Sequence, residues 1–148
     1  MPKSRIKVKA MGLFVADGRM LVMDCFDSVK QKRFLRLLGG HVEFGEHAEE
    51  TLRREMREEL ATDVEVLQRL DVIQNVFSFE GRDHHEIVFI HRARFLDEAF
   101  NRRDDLRNIE PDKDEPFVWL PFSEALNGPL PLYPGADYRS FLSLIGAD

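Results

Sequence analysis

The stretch GHVEFGEHAEETLRREMREELAT, residues 40–62, leads from a glycine turn into a helix that carries Glu55, Glu58 and Glu59 directly after Arg54. Three carboxylates within five residues repel one another, so a chain that needed only a helix would not gather them. Helical geometry decides whether they converge. At about 100° per residue, with Glu55 at zero, Glu59 lies near +40° and Glu58 near −60°. Ala48, Leu52, Met56 and Leu60 occupy roughly +20° to +140° on the same wheel. Glu59 therefore falls inside the apolar stripe and Glu55 sits on its edge. Half-buried carboxylates that cannot escape one another call for a cation, and hard oxygen ligands suit Mg²⁺, with Mn²⁺ as a substitute.

The same stretch resembles the signature of the Nudix hydrolases: Gly, five residues, Glu, seven residues, then Arg-Glu-apolar-any-Glu-Glu-any-Gly-apolar. Gly40, Glu46, Arg54, Glu55, Met56, Glu58 and Glu59 match position by position, and Gly39, Val42, Glu43 and Gly45 fit the preceding loop. Ala61 and Thr62 depart from the pattern, standing where it has a glycine and an apolar residue. If residue 61 closes the helix with positive φ, alanine there costs about 1 kcal/mol relative to glycine; the alternative is a helix that ends around Thr62-Asp63. The resemblance implies an α/β/α sandwich with a mixed β-sheet.

Hydrolysis of a phosphoanhydride requires neutralised phosphates, an activated water and in-line alignment, and clustered carboxylates holding Mg²⁺ supply all three. On this reading Glu55, Glu58 and Glu59 are metal ligands, helped by the backbone carbonyl of Gly39. The resemblance adds that Glu55 orients or deprotonates the attacking water. Arg54 and Glu46 form a supporting ion pair that fixes the loop against the helix. Gly40 lets the backbone fold back, and Glu43 is read either as a supporting group or as exposed. The family often adds an acid from a later loop. Asp112, Asp114 and Glu115 are the candidates, with Glu115 preferred because it leads into the last strand; solvated loop charges are the competing reading. Candidate substrate contacts are Arg5, Lys7 and Lys9 on one strand face, Arg92 and Arg94 on another, and Phe79, Phe77 or Trp119 for stacking.

The rest of the 148-residue chain is consistent with one domain, residues 1–148. A net charge of −6 argues against a nucleic-acid polymer as partner, while a small-molecule nucleotide held through a cation remains compatible. Cys25, the single cysteine, excludes an internal disulfide and fits a reduced, cytoplasmic setting. Neither a signal-peptide core in MPKSRIKVKAMG nor an apolar stretch of about 20 residues is present, so no membrane role is expected. No apolar face is left unassigned, which leaves monomer and homodimer both open.

Strands are expected at Ile6–Val15, Met20–Met23, Arg33–Leu38, Val64–Phe79 (bent, or two short pieces), His85–Phe95 and Phe117–Leu120. Asp17-Gly18 marks a hairpin. Helices are expected at Ala48–Leu60, from a cap at Ser123 to Leu126, and at Tyr138–Ile145. Asp97–Glu115 reads as a long charged connection. The function that follows is a Mg²⁺-dependent pyrophosphohydrolase acting on a nucleoside diphosphate linked to a group X. Phe77-Ser78-Phe79-Glu80 carries neither the proline nor the tyrosine that marks some subfamilies, which weakens ADP-ribose and diadenosine polyphosphates as X. The alternative is a Nudix-fold sensor that binds nucleotide without hydrolysing it, although such domains usually show damaged signature carboxylates and this chain has all of them.

Overall fold

Alternating apolar and basic residues build β1 (Ile6–Ala16), which reverses at Asp17-Gly18 into β2 (Arg19–Asp27). In this computed structural model, which describes residues 4–146, both turn residues have positive φ, 52° and 74°, the twist that a two-residue hairpin requires. Then come β3 (Lys32–Arg36), β4 (Leu38–His41), α1 (Ala48–Leu60), β5 (Val64–Phe79) and β6 (Arg82–Phe95). After a short 3₁₀ turn at Glu98–Arg102 the chain finishes with β7 (Phe117–Pro121), α2 (Phe122–Asn127), β8 (Leu132–Tyr133) and α3 (Tyr138–Leu144).

The strands run in the order β5-β6-β1-β2-β3-β8, with β4 added to β1 and β7 added to β2. β1–β6 and β3–β8 are parallel and the other pairings are antiparallel, so the sheet is mixed. β1 and β2 share register only beside their turn, at Val15↔Met20 and Ala16↔Arg19. Beyond it they splay, and the sheet curls into two halves.

Side-chain alternation sends one set of strand residues to each face. Leu52, Met56 and Leu60 of α1 pack with Phe14, Leu21, Met23, Leu38, Phe95 and Phe117. On the other side Ala125 of α2 and Tyr138, Phe141 and Leu142 of α3 cover Leu13, Met20, Val22, Leu35 and Ile90. The result is the α/β/α sandwich with a mixed sheet that the sequence implied.

Several local expectations are corrected. The Arg33–Leu38 strand is broken at Leu37, and Gly39-Gly40 lie not in a turn but within β4, paired to Met11 and Ala10 of β1. Ser123 does not cap α2, which starts one residue earlier behind Pro121. Asp137, whose carboxylate accepts from the Ser140 backbone N–H, caps α3. The two-residue β8 leaves no strand pattern in the sequence because three prolines surround it. In β6 Val88 and Ile90 are buried, whereas Ile87 and Phe89 are half-buried. β5 is one strand with two register shifts.

Helix α1 ends at Ala61, which adopts φ 51°, ψ 41° and donates its N–H to Arg57 O at 3.0 Å. The ending around Thr62-Asp63 is thus ruled out. Ala61 is exposed, so its strain is not repaid by packing. Ala61→Gly should raise the unfolding free energy by about 1 kcal/mol, read as a higher urea midpoint at unchanged slope.

Candidate active site

The loop before α1 is organised by Glu46. Its carboxylate accepts from the Glu43 backbone N–H (3.1 Å), the Thr51 hydroxyl (2.7 Å) and, in bidentate fashion, Arg54 Nε and Nη2 (2.7 and 3.0 Å). The Arg54 guanidinium holds the Glu46 carboxyl down at about 2 and is itself held firmly charged by Glu46. Bidentate Arg–carboxylate pairing gives orientation as well as energy. The remaining donors of Arg54 reach His41 O (3.0 Å), Glu55 Oε1 (3.0 Å) and both oxygens of Glu58 (3.3 and 3.2 Å). One guanidinium therefore ties β4, the loop and two turns of α1 together. Glu43 is a rim residue, 67% exposed and 3.8 Å from Arg54.

Glu59, on the inward face of the helix, is only 5% exposed. Its Oε2 has no hydrogen-bond partner among the described residues, and burial pushes its carboxyl up to about 8. Burial also raises the Glu55 carboxyl, against the opposing pull of Arg54. Carboxylate oxygens of Glu55, Glu59 and Glu110 lie within 4.8 Å of one another. An orphaned buried oxygen, two raised carboxyls and a third acid at that spacing form a donor set that a divalent cation fits.

Glu110 is not one of the later-loop acids expected from the sequence. Its loop is pinned to the end of α1 by the Ile109 N–H, which donates to Glu59 O at 2.9 Å and satisfies one of the helix's terminal carbonyls. Asn108 Oδ1 accepts from the Glu110 N–H at 3.0 Å. Glu110-Pro111 carries no spacing signal in a segment full of charges; only the docking of the loop selects it. Asp112 and Asp114 are exposed. Glu115 stands outside the three-carboxylate group, on the sheet side near Cys25, with a buried Oε2 that has no hydrogen-bond partner among the described residues.

The other expected residues are distributed unevenly. Glu58 is 43% exposed and held by Arg54, outside the carboxylate group. Gly39 O accepts from Arg36 Nη2 at 3.3 Å. Gly40 faces the Glu55 carboxylate, which occupies the space a Cβ would need. Arg5 and Lys7 are exposed at the start of β1. Arg92 pairs with Leu13 and Lys7 with Glu86, which separates these two cations by six residues of strand, roughly 20 Å, so they do not converge. Trp119, partly buried against the core, packs on Phe95 and donates its indole N–H to Phe100 O. Phe79 belongs to a half-exposed aromatic group with Phe34 and His84.

A family model, the NUDIX domain, matches residues 3–142. A MutT NUDIX hydrolase from Burkholderia pseudomallei shares 25% identity over 80% of this chain and 84% of its own, with a TM-score of 0.59. The E. coli ORF135 protein, 23% identical, aligns over 97% of this chain and 94% of its own at a TM-score of 0.63. An ADP-ribose pyrophosphatase from Streptococcus suis, 15% identical, aligns over 95% and 89% at 0.57. With the family match running across nearly the whole fold and the loop–helix carboxylates in place, the chain belongs to the Nudix family as a hydrolase acting on phosphoanhydride bonds.

Proposed function

We propose that the chain is a Mg²⁺-dependent pyrophosphohydrolase, with Mn²⁺ as a substitute, that cleaves a nucleoside diphosphate linked to X, where X is phosphate, a sugar or a second nucleotide. The observation that carries this reading is the convergence of Glu55, Glu59 and Glu110 around the unpartnered Oε2 of Glu59. The ADP-ribose pyrophosphatase among the structural neighbours has a substrate of this chemistry by its name.

Glu55, Glu59 and Glu110 would hold the cation, and Glu58 on the open side is the candidate ligand for a second. When bound, Mg²⁺ neutralises phosphate charge and acidifies a water molecule. Arg54 fixes the rotamers of Glu55 and Glu58, so the acids meet the substrate with little reorganisation. Glu55, half-buried beside Gly40, orients the attacking water and accepts its proton. The lone Cys25 is compatible with a reduced, cytoplasmic compartment; among the described residues no helix is long and apolar enough to cross a membrane.

The test is release of phosphate and pyrophosphate from a panel of nucleoside triphosphates, nucleotide sugars and dinucleotides, with millimolar Mg²⁺ and with chelator. Mg²⁺-dependent turnover of at least one member is expected. Silence across the panel from folded, metal-binding protein would turn the reading toward a nucleotide sensor.

A further inference from the structure

Cross-strand partners share a face, so the strand register lays out row by row the sheet face on which α1 packs. His91 of β6, between Gly12 of β1 and Arg69 of β5, marks where the helix begins. Its Nε2 meets Glu49 Oε1 of the first helical turn at 3.0 Å. Beyond that row come Ala10, Phe89 and Val72, then Val8, Ile87 and Gln74, then Ile6, His85 and Val76. The 13 residues of α1 span about 20 Å, whereas the 14 of β6 span about 45 Å. The helix runs out before the strands do.

Ile6, Val8, Val72, Val76, Ile87 and Phe89 accordingly belong to neither of the two cores. Val76 is 68% exposed and Ile6 59%. On the opposite face, Lys9 is tucked against the buried Glu86 at 2.8 Å. Here the strands turn apolar side chains outward and an ion pair inward, the reverse of what an isolated domain needs. The sequence conceals this, because Ile6 and Val8 alternating with Lys7 and Lys9 read as an ordinary half-covered strand. An apolar face is left unassigned after all.

The three rows contain no Asp, Glu, Lys or Arg side chain. Their two polar side chains, Gln74 and His85, bond each other at 2.6 Å and ask nothing of a partner. The bare apolar area is on the order of 500 Å², the upper end of what a monomer leaves exposed. Phe44, wholly exposed, stands at the margin, just past Val42, whose N–H donates to Val8 O at 2.8 Å. With Phe44 and a polar rim the face approaches the roughly 800 Å² per partner of a standard interface. An uncharged face gives a charged partner nothing to read, and a chain of net charge −6 is not drawn to an anionic membrane surface. A second copy presents a face equally flat and apolar. It also has the same twist, the condition under which two sheets stack with strands about 30° apart.

We propose that two copies of this chain pack these sheet faces together as a symmetric dimer. Val8 and Ile87, in the middle row, lie near the two-fold axis, and Phe44 closes the margin of each copy. The contact brings the loop organised by Glu46 to its rim. None of its residues belongs to the three-carboxylate group, so the inference stands independently of the hydrolase reading.

Sedimentation velocity of the full chain, from micromolar to several hundred micromolar, tests it. The expected result is one reversible step from one chain's mass to two, with no larger species. Val8→Glu sets two like charges together near the axis and should raise the dissociation constant a hundred-fold or more. Val76→Glu, at a more exposed position, is the second variant should Val8→Glu fail to fold, and it should raise the constant ten-fold or more. Leu144→Glu, exposed on α3 across the sheet, should leave it unchanged. Circular dichroism melts show which variants are folded. A chain that stays monomeric throughout, a dimer that both sheet-face variants leave intact, or association beyond two chains would overturn the proposal. So would a monomer that floats with phosphatidylcholine vesicles and ceases to do so as Val76→Glu, which would give the face to a lipid surface.

Discussion

Glu59→Gln is expected to lower turnover by about 10²–10³-fold, the loss seen when one group that stabilises developing charge is removed, while the protein stays folded. The second readout is thermodynamic. With its carboxyl pushed up to about 8 by burial, Glu59 holds a proton in the metal-free native protein over a pH range where the unfolded chain has lost it. A group raised on folding contributes stability that is present below its unfolded value, near 4.5, and lost as pH rises through about 8. Metal-free wild type should therefore melt at progressively lower temperature from pH 5 to pH 8.5, and Mg²⁺ should oppose the fall because binding requires the ionised carboxylate. Glu59→Gln should flatten both the slope and the Mg²⁺ effect. Activity of the wild type should rise toward alkaline pH, its acid limb moving to lower pH as Mg²⁺ increases. A profile peaking near pH 5, or a variant with normal Mg²⁺ stabilisation, would place the cation elsewhere.

Adjacent glycines should fail in different ways. At Gly39 an added Cβ would overlap Ala10 O and lie 2.7 Å from Met11 Cα, both backbone atoms of the central strand β1. Backbone in a paired strand cannot yield, so Gly39→Ala should cost about 3 kcal/mol or more and give largely insoluble or unfolded protein. At Gly40 the obstacle is the Glu55 carboxylate, the free end of a side chain. Gly40→Ala should keep the fold, with a melting temperature within a few degrees of wild type, and lose at least about ten-fold in turnover because the displaced carboxylate is misplaced at the reacting centre. Circular dichroism melts and kcat on the same two preparations separate the outcomes. Equal stability of the two variants would contradict the strand placement of Gly39-Gly40.

The extent of α1 was legible in the sequence because it depends on local chemistry. Ala48–Leu60 shows its apolar stripe through the spacing of Leu52, Met56 and Leu60, and the same spacing places Glu59 indoors. The Asp17-Gly18 hairpin was legible for the same reason: two residues with positive φ are a local requirement. The Glu46–Arg54 pair came from the family pattern, and the structure shows the bidentate geometry behind it. Signals that depend on docking left no trace. Glu110 became a neighbour of Glu55 and Glu59 only because the Ile109 N–H meets the end of α1, and no spacing within Asp97–Glu115 distinguishes it from Asp112 or Glu115. Gly39-Gly40 looked like a turn because glycines usually mark one; their role as strand residues follows from the closeness of β1, a contact some 30 residues away in sequence.

By itself, then, the sequence determined the family, the helix that carries the acids, the loop–helix ion pair and the sign of the charge the site must attract, because each is written within one turn or one motif. Tertiary structure decided which later carboxylate joins them, that Arg36 donates to Gly39 O beside them, and that Phe34, Phe77, Phe79 and Tyr133 meet. Those juxtapositions arise where the two halves of a curled sheet splay apart from a shared turn, and residues from distant strands have no local pattern in which to announce that they will touch.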